Sequence, residues 1–273
     1  MKKKSIRFLM VMMVIVLAIA MSACGDDKSS DDSSGGSGGA PVEKQKDESD
    51  QNDDSAKEEK EASNSSSDGA ATSVKNFKTS KNGTIVVIES GYRYDGEGSL
   101  EVGALVGNAN SESAFVDFGL TITAYADDGS ILGTEDVTQF TIQPGEIRPF
   151  STSIETKDKE PKKVEIEAIE GDEEKADSKA IKTSDLAVSN VSENVDKEDE
   201  SISYTGQITN KSKTDTDGGM VVVLLKNKGK IVGTGYEYVD VKAGKKKAFD
   251  FTVYGLIEHD KYEMYAYSDY VSD

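Results

Sequence analysis

The sequence is poor in the residues from which most catalytic and metal sites are built. Its 273 residues include one cysteine, one histidine and no tryptophan. A single cysteine excludes an internal disulfide. A single histidine excludes multi-histidine metal sites and leaves almost no material for serine–histidine catalysis. We therefore predict a protein that is not an enzyme and that has no cofactor, no metal site and no small-molecule substrate.

Basic residues are also scarce relative to acidic ones. The chain has 51 Asp and Glu against 32 Lys and Arg, and its formal net charge is −19. Binding to a nucleic-acid backbone requires clustered Lys and Arg, and anionic lipid headgroups repel an acidic surface. The composition therefore excludes a nucleic-acid partner and argues against attachment to a membrane through a basic surface.

Residues 1–23 have the composition of a signal peptide. Three lysines and an arginine precede an uncharged apolar segment from Phe8 to Met21. This segment is shorter than the roughly 20 residues that span a bilayer comfortably. The only cysteine, Cys24, follows directly after Ser22-Ala23, at the point where the apolar segment gives way to a polar tract.

The tetrapeptide Met21-Ser22-Ala23-Cys24 resembles the lipobox of bacterial lipoproteins, with Met in place of the usual Leu. The resemblance implies that residues 1–23 are removed and that Cys24 is thioether-linked to diacylglycerol and becomes the mature N-terminus. Two acyl chains are enough for stable anchoring, whereas one is marginal. We therefore expect a membrane partner through lipid on Cys24 and a location on the extracytoplasmic face of the cell membrane.

Residues 24–73 are rich in Ser, Gly, Asp, Glu and Lys and contain almost no large apolar side chains. Such a segment cannot offset the entropy lost on ordering, so we predict a disordered linker. A flexible coil of this length spans about 40 Å, and its excess of carboxylates extends it further. The linker is interpreted as a passive spacer, or alternatively as a stalk that lifts the rest of the chain into a cell wall.

Residues 74–171 carry the pattern of an all-β domain. Apolar and polar residues alternate along one stretch, where Val116, Phe118, Leu120, Ile122 and Ala124 share a face. Period-two alternation indicates a half-buried antiparallel strand. About seven such short stretches are separated by turns such as Asp127-Asp128-Gly129, and no helical periodicity is present. This pattern predicts an immunoglobulin-like β-sandwich.

Residues 185–273 repeat this pattern after a polar linker predicted over residues 172–184. Turn and core positions match in the same order, which indicates a tandem duplication of one fold. The matched pairs are Asn108 with Asn210; Leu120, Ile122 and Ala124 with Met220, Val222 and Leu224; Ile131-Leu132-Gly133-Thr134 with Ile231-Val232-Gly233-Thr234; Pro144-Gly145 with Ala243-Gly244; and Phe150 with Phe249.

The repeat resembles the FxLYD domain, a small immunoglobulin-like domain of exported bacterial proteins, and the whole chain resembles a Gram-positive lipoprotein with two such domains. The shared order is a Gly-Asn or Thr-Asn strand end, an alternating apolar strand, a turn glycine, Ile-Leu-Gly and Pro-Gly-Glu. At the signature itself the first copy keeps only Tyr125 and the second only Leu224. The family has no established catalytic residues, so the resemblance implies none here.

Two surfaces are candidates for binding. In the final strand Tyr265 and Tyr267 share one face, opposite Tyr262 and Met264. We hypothesise that the pair forms an outer patch for a ligand or partner, because Tyr is favoured at binding surfaces. The alternative is that these tyrosines only pair with aromatic residues across the strands.

The second candidate is the lysine cluster of Lys245, Lys246 and Lys247, which follows Lys242 and the Ala243-Gly244 turn. These lysines are interpreted as protection of an exposed strand edge against pairing with other chains. The alternative is contact with a wall polyphosphate or with headgroups.

Two further patterns favour structural roles. Asp215-Thr216-Asp217-Gly218 begins like a calcium loop but lacks the later acidic ligand, so a polar turn is favoured. His259 beside Asp260 lacks a supporting nucleophile, and we expect it in a surface loop.

The sequence thus predicts a lipid-anchored surface protein that presents two binding or structural modules to an unknown envelope protein or wall polymer. The alternative is an accessory or envelope-stress lipoprotein that acts on envelope enzymes through protein contacts.

Overall fold

The computed structural model describes residues 77–271, which form an all-β structure. The predicted signal peptide, Cys24 and the linker predicted over residues 24–73 lie outside these residues. No helix in the described part of the chain is long and apolar enough to cross a membrane. The all-β fold class predicted from period-two alternation is confirmed.

The first domain is a sandwich of two antiparallel sheets. One sheet has the strand order β1-β2-β5, and the other has the order β4-β3-β6, with β7 also pairing with β3. Phe118, Leu120, Ile122 and Phe150 lie in the core between the sheets. The strands are β1 (Ile85–Tyr94), β2 (Ser99–Asn108), β3 (Ser113–Tyr125), β4 (Ile131–Ile142), β5 (Ile147–Glu155), β6 (Lys163–Ile169) and β7 (Asp172–Lys175).

The second domain has the same topology. Its sheets have the orders β12-β9-β8 and β11-β10-β13, which correspond strand for strand to β5-β2-β1 and β4-β3-β6. The duplication inferred from the sequence is therefore present in the fold. The strands are β8 (Leu186–Asp196), β9 (Ser201–Asn210), β10 (Thr216–Asn227), β11 (Lys230–Tyr238), β12 (Lys246–Tyr254) and β13 (Lys261–Val271).

Asn108 and Asn210, matched in the sequence, have the same structural role. Both are fully buried at the end of the second strand of their domain. Asn108 Nδ2 donates to the carbonyl oxygens of Ser113, Ile142 and Gln143, and Asn210 Nδ2 donates to those of Thr214 and Val241. Each asparagine thereby satisfies buried carbonyl groups of two loops, which explains why the match is strict.

The match proposed for the central strand is wrong by one residue. Ala124 pairs with Gly133, and Leu225, not Leu224, pairs with Gly233. The cause is the turn that follows, which has three residues between Ala126 and Ser130 in the first domain but only the two-residue Lys228-Gly229 turn in the second. A slip of one residue moves every side chain to the opposite face of a strand.

The two domains pack sheet against sheet. The sheet β1-β2-β5 of the first domain faces the sheet β11-β10-β13 of the second, and an apolar cluster fills the space between them. The four sheets therefore form four consecutive layers with three apolar centres. The buried members of the central cluster are Leu105, Val222, Leu224, Ile231, Tyr265 and Tyr267.

The linker predicted over residues 172–184 is largely part of the folded structure. Its first residues form β7, which pairs with β3 between Ser113 and Val116. Ile181 lies in the core of the second domain. The amide and the hydroxyl of Thr183 both donate to Glu146 Oε1 at 2.8 Å. The connection is thus held by both domains.

Candidate functional site

Tyr265 and Tyr267, predicted to form an outer patch, lie between the two domains. The residues are only 4% and 3% exposed, and both belong to the apolar cluster that includes Leu105 of the first domain. On the opposite face of β13, Tyr262 and Met264 pack against the core of the second domain. The hypothesis of an open tyrosine patch at these two positions is therefore corrected: both faces of the strand are covered by protein.

A cluster of charges closes one end of the domain interface. Lys226 Nζ lies 2.8 Å from Glu89 Oε2 of the first domain and 2.9 Å from Glu263 Oε2 of the second. Burial alone would raise the pKa of Glu263, but hydrogen bonds from Lys226, Lys261 and Tyr265 lower it to about 2. The carboxylate of Glu263 is therefore a fixed part of the interface.

A second cluster lies around Arg148. Its Nε donates to Glu146 Oε1 at 2.9 Å, and its Nη1 donates to Asp269 Oδ1 of the second domain at 3.1 Å. Burial raises the pKa of Asp269, and the ion pair with Arg148 opposes that shift. Both clusters join the domains, so their ionisable groups are engaged in structural contacts.

The lysine cluster is exposed. Lys245, Lys246 and Lys247 lie around the start of β12, which is an edge strand of its sheet. This position agrees with protection of the edge, and it also leaves the cluster free to contact an anionic polymer. Contact with a wall polymer remains a prediction.

The candidate calcium loop has the features of a polar turn. Asp215 accepts a hydrogen bond from the Ala243 amide at 2.8 Å and one from Lys242 Nζ at 3.2 Å. Among residues 77–271, no group of three or more His, Cys, Asp or Glu side chains is placed to hold a metal ion.

His259 was expected in a surface loop, but its side chain is only 9% exposed. Its Nδ1 lies 2.7 Å from the Ile257 carbonyl oxygen, and its Nε2 lies 2.9 Å from Glu193 Oε2. The hydroxyl of Tyr204 donates to the same Glu193 oxygen at 2.7 Å, and burial together with this bond raises the pKa of Tyr204. The histidine thus connects the loop before β13 to β8.

An open groove of about 380 Å³ lies where the two domains meet. The first domain contributes residues of β2 and β5, and the second contributes residues of β11 and β12. This volume lies near the lower end of the range for small-molecule sites. From the first domain the lining includes Glu101, Ser151, Thr152 and Ser153, and from the second it includes Thr234, Tyr236, Thr252, Val253 and Tyr254.

Arg93 fixes the wall of the groove that contains Glu101. Its Nε and Nη2 donate to the two carboxylate oxygens of Glu101 at 3.0 and 2.6 Å, and Nη2 also donates to the Tyr254 carbonyl oxygen at 3.1 Å. This bidentate pair neutralises Glu101, the lining residue with a carboxylate. The hydrogen bond to the carbonyl oxygen of Tyr254 links the first domain to the last residue of β12.

The groove presents hydroxyl groups and aromatic rings. Within residues 77–271, the hydroxyls of Ser151 and Ser153 have no protein partner, so they are available to a ligand. Thr152, between them, lies on the opposite face of β5 with Phe150 and Ile154, towards the core of the first domain. Tyr236 and Tyr254 are 47% and 75% exposed. The ring of Tyr236 packs edge-on against that of Tyr238, with 5.7 Å between the ring centroids, and this contact helps to orient it.

Sequence reasoning missed this groove because its lining comes from four strands that are distant along the chain. A usable signal was the run Ser151-Thr152-Ser153. A half-buried strand has an apolar residue at every second position, and this run has none. Tyr236 and Tyr254 were recognised only as members of a tyrosine-rich domain.

No family model matches the sequence, and no curated protein matches it. The resemblance to the FxLYD domain therefore remains a prediction. Solved structures with a remote likeness to the chain include two that are described in turn. The structure of red sea bream transglutaminase is 9% identical, with a TM-score of 0.21 over 68% of this chain and 31% of that chain.

The second is the C-terminal globular domain of oligosaccharyltransferase from Pyrococcus abyssi. It is 8% identical, with a TM-score of 0.20 over 70% of this chain and 49% of that chain. The chain thus spans less than half the length of either structure. Neither protein's activity is transferred to it, and the assignment as a sandwich rests on the strand topology described above.

Proposed function

We propose that this protein is a non-catalytic, lipid-anchored binding protein of the extracytoplasmic membrane face, and that the groove between its two domains is the recognition site. The observation that carries the proposal is that both domains contribute to one groove whose Ser151 and Ser153 hydroxyls lack protein partners within the described residues. Unpaired polar groups in a concave site favour binding of a polar ligand.

The carboxylates near the groove and in the domain interface support a binding role over catalysis. General acid–base catalysis needs a carboxyl group that is free to reach the substrate. Glu101 is instead held by both of its oxygens against Arg93, and Glu263 is held by Lys226, Lys261 and Tyr265. These groups stabilise the arrangement of the domains.

The anchor is proposed from the sequence. The Met21-Ser22-Ala23-Cys24 tetrapeptide at the end of an apolar segment resembles a lipobox, and the polar residues 24–73 would separate the folded domains from the bilayer. On this proposal the groove is held outside the membrane, within reach of envelope polymers and proteins.

The alternative function is an accessory lipoprotein that contacts envelope proteins through a surface other than the groove. It is favoured by the exposure of Lys245, Lys246 and Lys247 beside the edge strand β12. Exposed basic side chains on an otherwise acidic chain would attract an anionic partner.

Two experiments test the proposal. For the anchor, wild-type and Cys24→Ser proteins are followed by cell fractionation; the wild-type protein should stay with membranes, and the variant should be released once residues 1–23 are removed. A variant that is processed and still membrane-bound would refute the lipid anchor.

For the groove, the full chain in detergent micelles is sedimented with isolated cell envelopes. Ser153→Arg, which places a bulky charge in the groove, should reduce the bound fraction severalfold. The control Asn194→Arg changes an exposed residue of β8 outside the groove. If binding depends instead on Lys245, Lys246 and Lys247 and ignores Ser153→Arg, the accessory role replaces the groove proposal.

A further inference from the structure

The lining of the groove indicates the chemistry of its ligand, on the premise of the proposed function that the groove is a recognition site. Two residues on the same face of β5, Ser151 and Ser153, carry hydroxyl groups without partners in the described part of the chain. A hydroxyl both donates and accepts hydrogen bonds. A ligand that matches this serine pair must itself carry groups that donate and accept.

Two aromatic rings add flat apolar surfaces to this polar pair. Tyr236 of β11 and Tyr254 of β12 line the groove and are largely exposed. Tyr provides a rigid amphipathic contact at low cost in side-chain entropy. The ligand therefore has apolar faces as well as polar edges.

The charge of the groove selects a neutral ligand. Glu101 is paired with Arg93 through two hydrogen bonds, and the other lining residues are uncharged. The protein as a whole carries a net charge of −19, which disfavours an anionic polymer in an uncharged groove.

An extended peptide fits the groove less well. Recognition of a peptide along a strand edge takes its specificity from pockets for alternate side chains. Val253 is the aliphatic side chain among the lining residues, and it is buried. The groove offers hydroxyls and tyrosine rings in place of such pockets.

We propose that the groove between the two domains binds a neutral oligosaccharide, with sugar rings stacked on Tyr236 and Tyr254 and sugar hydroxyls bonded to Ser151 and Ser153. A pyranose ring combines apolar C–H faces with a rim of hydroxyl groups, which is the combination that the lining matches. Both domains must be in place, because the two serines and the two tyrosines lie on different domains.

The test is calorimetric titration of the full chain in detergent micelles with four neutral hexasaccharides: maltohexaose, cellohexaose, chitohexaose and mannohexaose. We expect at least one of them to bind. Tyr236→Ala and the Ser151→Ala/Ser153→Ala double variant should each weaken that binding about tenfold or more. Tyr236→Phe, which keeps the ring, should lose less than Tyr236→Ala.

Tyr92→Ala is the matched control, because Tyr92 is an exposed tyrosine of β1 outside the groove lining. It should leave affinity unchanged, and thermal unfolding of each variant confirms that it is folded. Failure of all four hexasaccharides to bind, or equal loss in Tyr92→Ala and Tyr236→Ala, overturns the oligosaccharide proposal.

Envelope sedimentation separates this failure from failure of the proposed function. If Ser153→Arg still abolishes binding to envelopes, while the hexasaccharides neither bind nor compete and periodate treatment of the envelopes has no effect, the groove recognises a different class of ligand, such as a peptide. If Ser153→Arg has no effect on envelope binding, the groove is not the recognition site.

Discussion

The guanidinium carbon of Arg148, in the first domain, lies 4.9 Å from the ring centroid of Tyr267, in the second. The same guanidinium pairs with Glu146 in its own domain and with Asp269 across the interface. Gln139 Nε2 donates to the Tyr267 hydroxyl at 3.1 Å. Tyr267, which was predicted to contact an external ligand, therefore contacts the first domain instead.

Replacing Arg148 should destabilise the described unit strongly. Arg148→Met leaves Glu146 and Asp269 without their shared cation in a buried site, and breaking a buried pair costs about 3–5 kcal/mol. Urea denaturation, monitored by near-ultraviolet circular dichroism of the tyrosines, measures the loss. The exposed Lys197→Met serves as control, and a loss below about 1 kcal/mol for Arg148→Met contradicts the assigned role.

The closeness of β1 and β11 can be tested at Gly91. A Cβ atom at this position would lie 2.1 Å from the Ile231 carbonyl oxygen of the second domain, so a side chain forces the two strands apart. We expect Gly91→Ala to lower the free energy of unfolding by about 1–3 kcal/mol and to weaken oligosaccharide binding. The neighbouring Ser90→Ala, at an exposed position, should do neither.

The stability of the protein should fall in acid through Glu263. Its pKa is lowered from 4.5 to about 2 in the folded state, so its contribution is complete above pH 4.5 and is lost as the pH falls towards 2. After allowance for partial solvent screening, the loss amounts to about 2 kcal/mol.

Melting temperatures measured between pH 5 and pH 2 test this point. Glu263→Gln should be less stable than wild type at pH 5, and the difference should shrink towards pH 2. The raised pKa of Asp269 changes the stability in the opposite direction as the pH falls. Asp269 is present in both proteins, so its effect on stability cancels in the comparison. A constant difference across this range would show that the carboxylate of Glu263 does not contribute through its charge.

Asn108 and Asn210 should be equally sensitive to substitution. Each amide satisfies buried carbonyl groups of two loops, and removing it leaves those carbonyls without a donor, at a cost of about 2–3 kcal/mol. Asn108→Ala and Asn210→Ala are compared by urea denaturation with Asn194→Ala, an exposed control. Unequal losses would mean that the two asparagines are not equivalent.

The all-β fold could be predicted from the sequence because the patterns that indicate strands and turns are local. Alternation in β3 predicted a strand, and the turn residues around Gly129 and Gly145 marked the ends of hairpins. Asn108 and Asn210 could be matched because each is the last residue of the second strand of its domain. In the structure, both side-chain amides donate to a carbonyl oxygen a few residues further along the chain.

The domain interface could not be predicted in this way. Period-two alternation shows which residues of β13 share a face, but not that a second domain covers the face of Tyr265 and Tyr267. The central strand β10 is apolar on both faces, so alternation could not fix its register either. Its true register depends on the length of the Lys228-Gly229 turn.

The burial of β10 on both faces makes the two copies of the repeat unequal. In the first copy the outward residues Thr121 and Thr123 of the central strand meet water, whereas in the second the corresponding positions are Val222 and Leu224, in contact with the first copy. A second copy moved into another protein would expose this apolar face and invite aggregation. The second copy therefore depends on the first, which covers its apolar face.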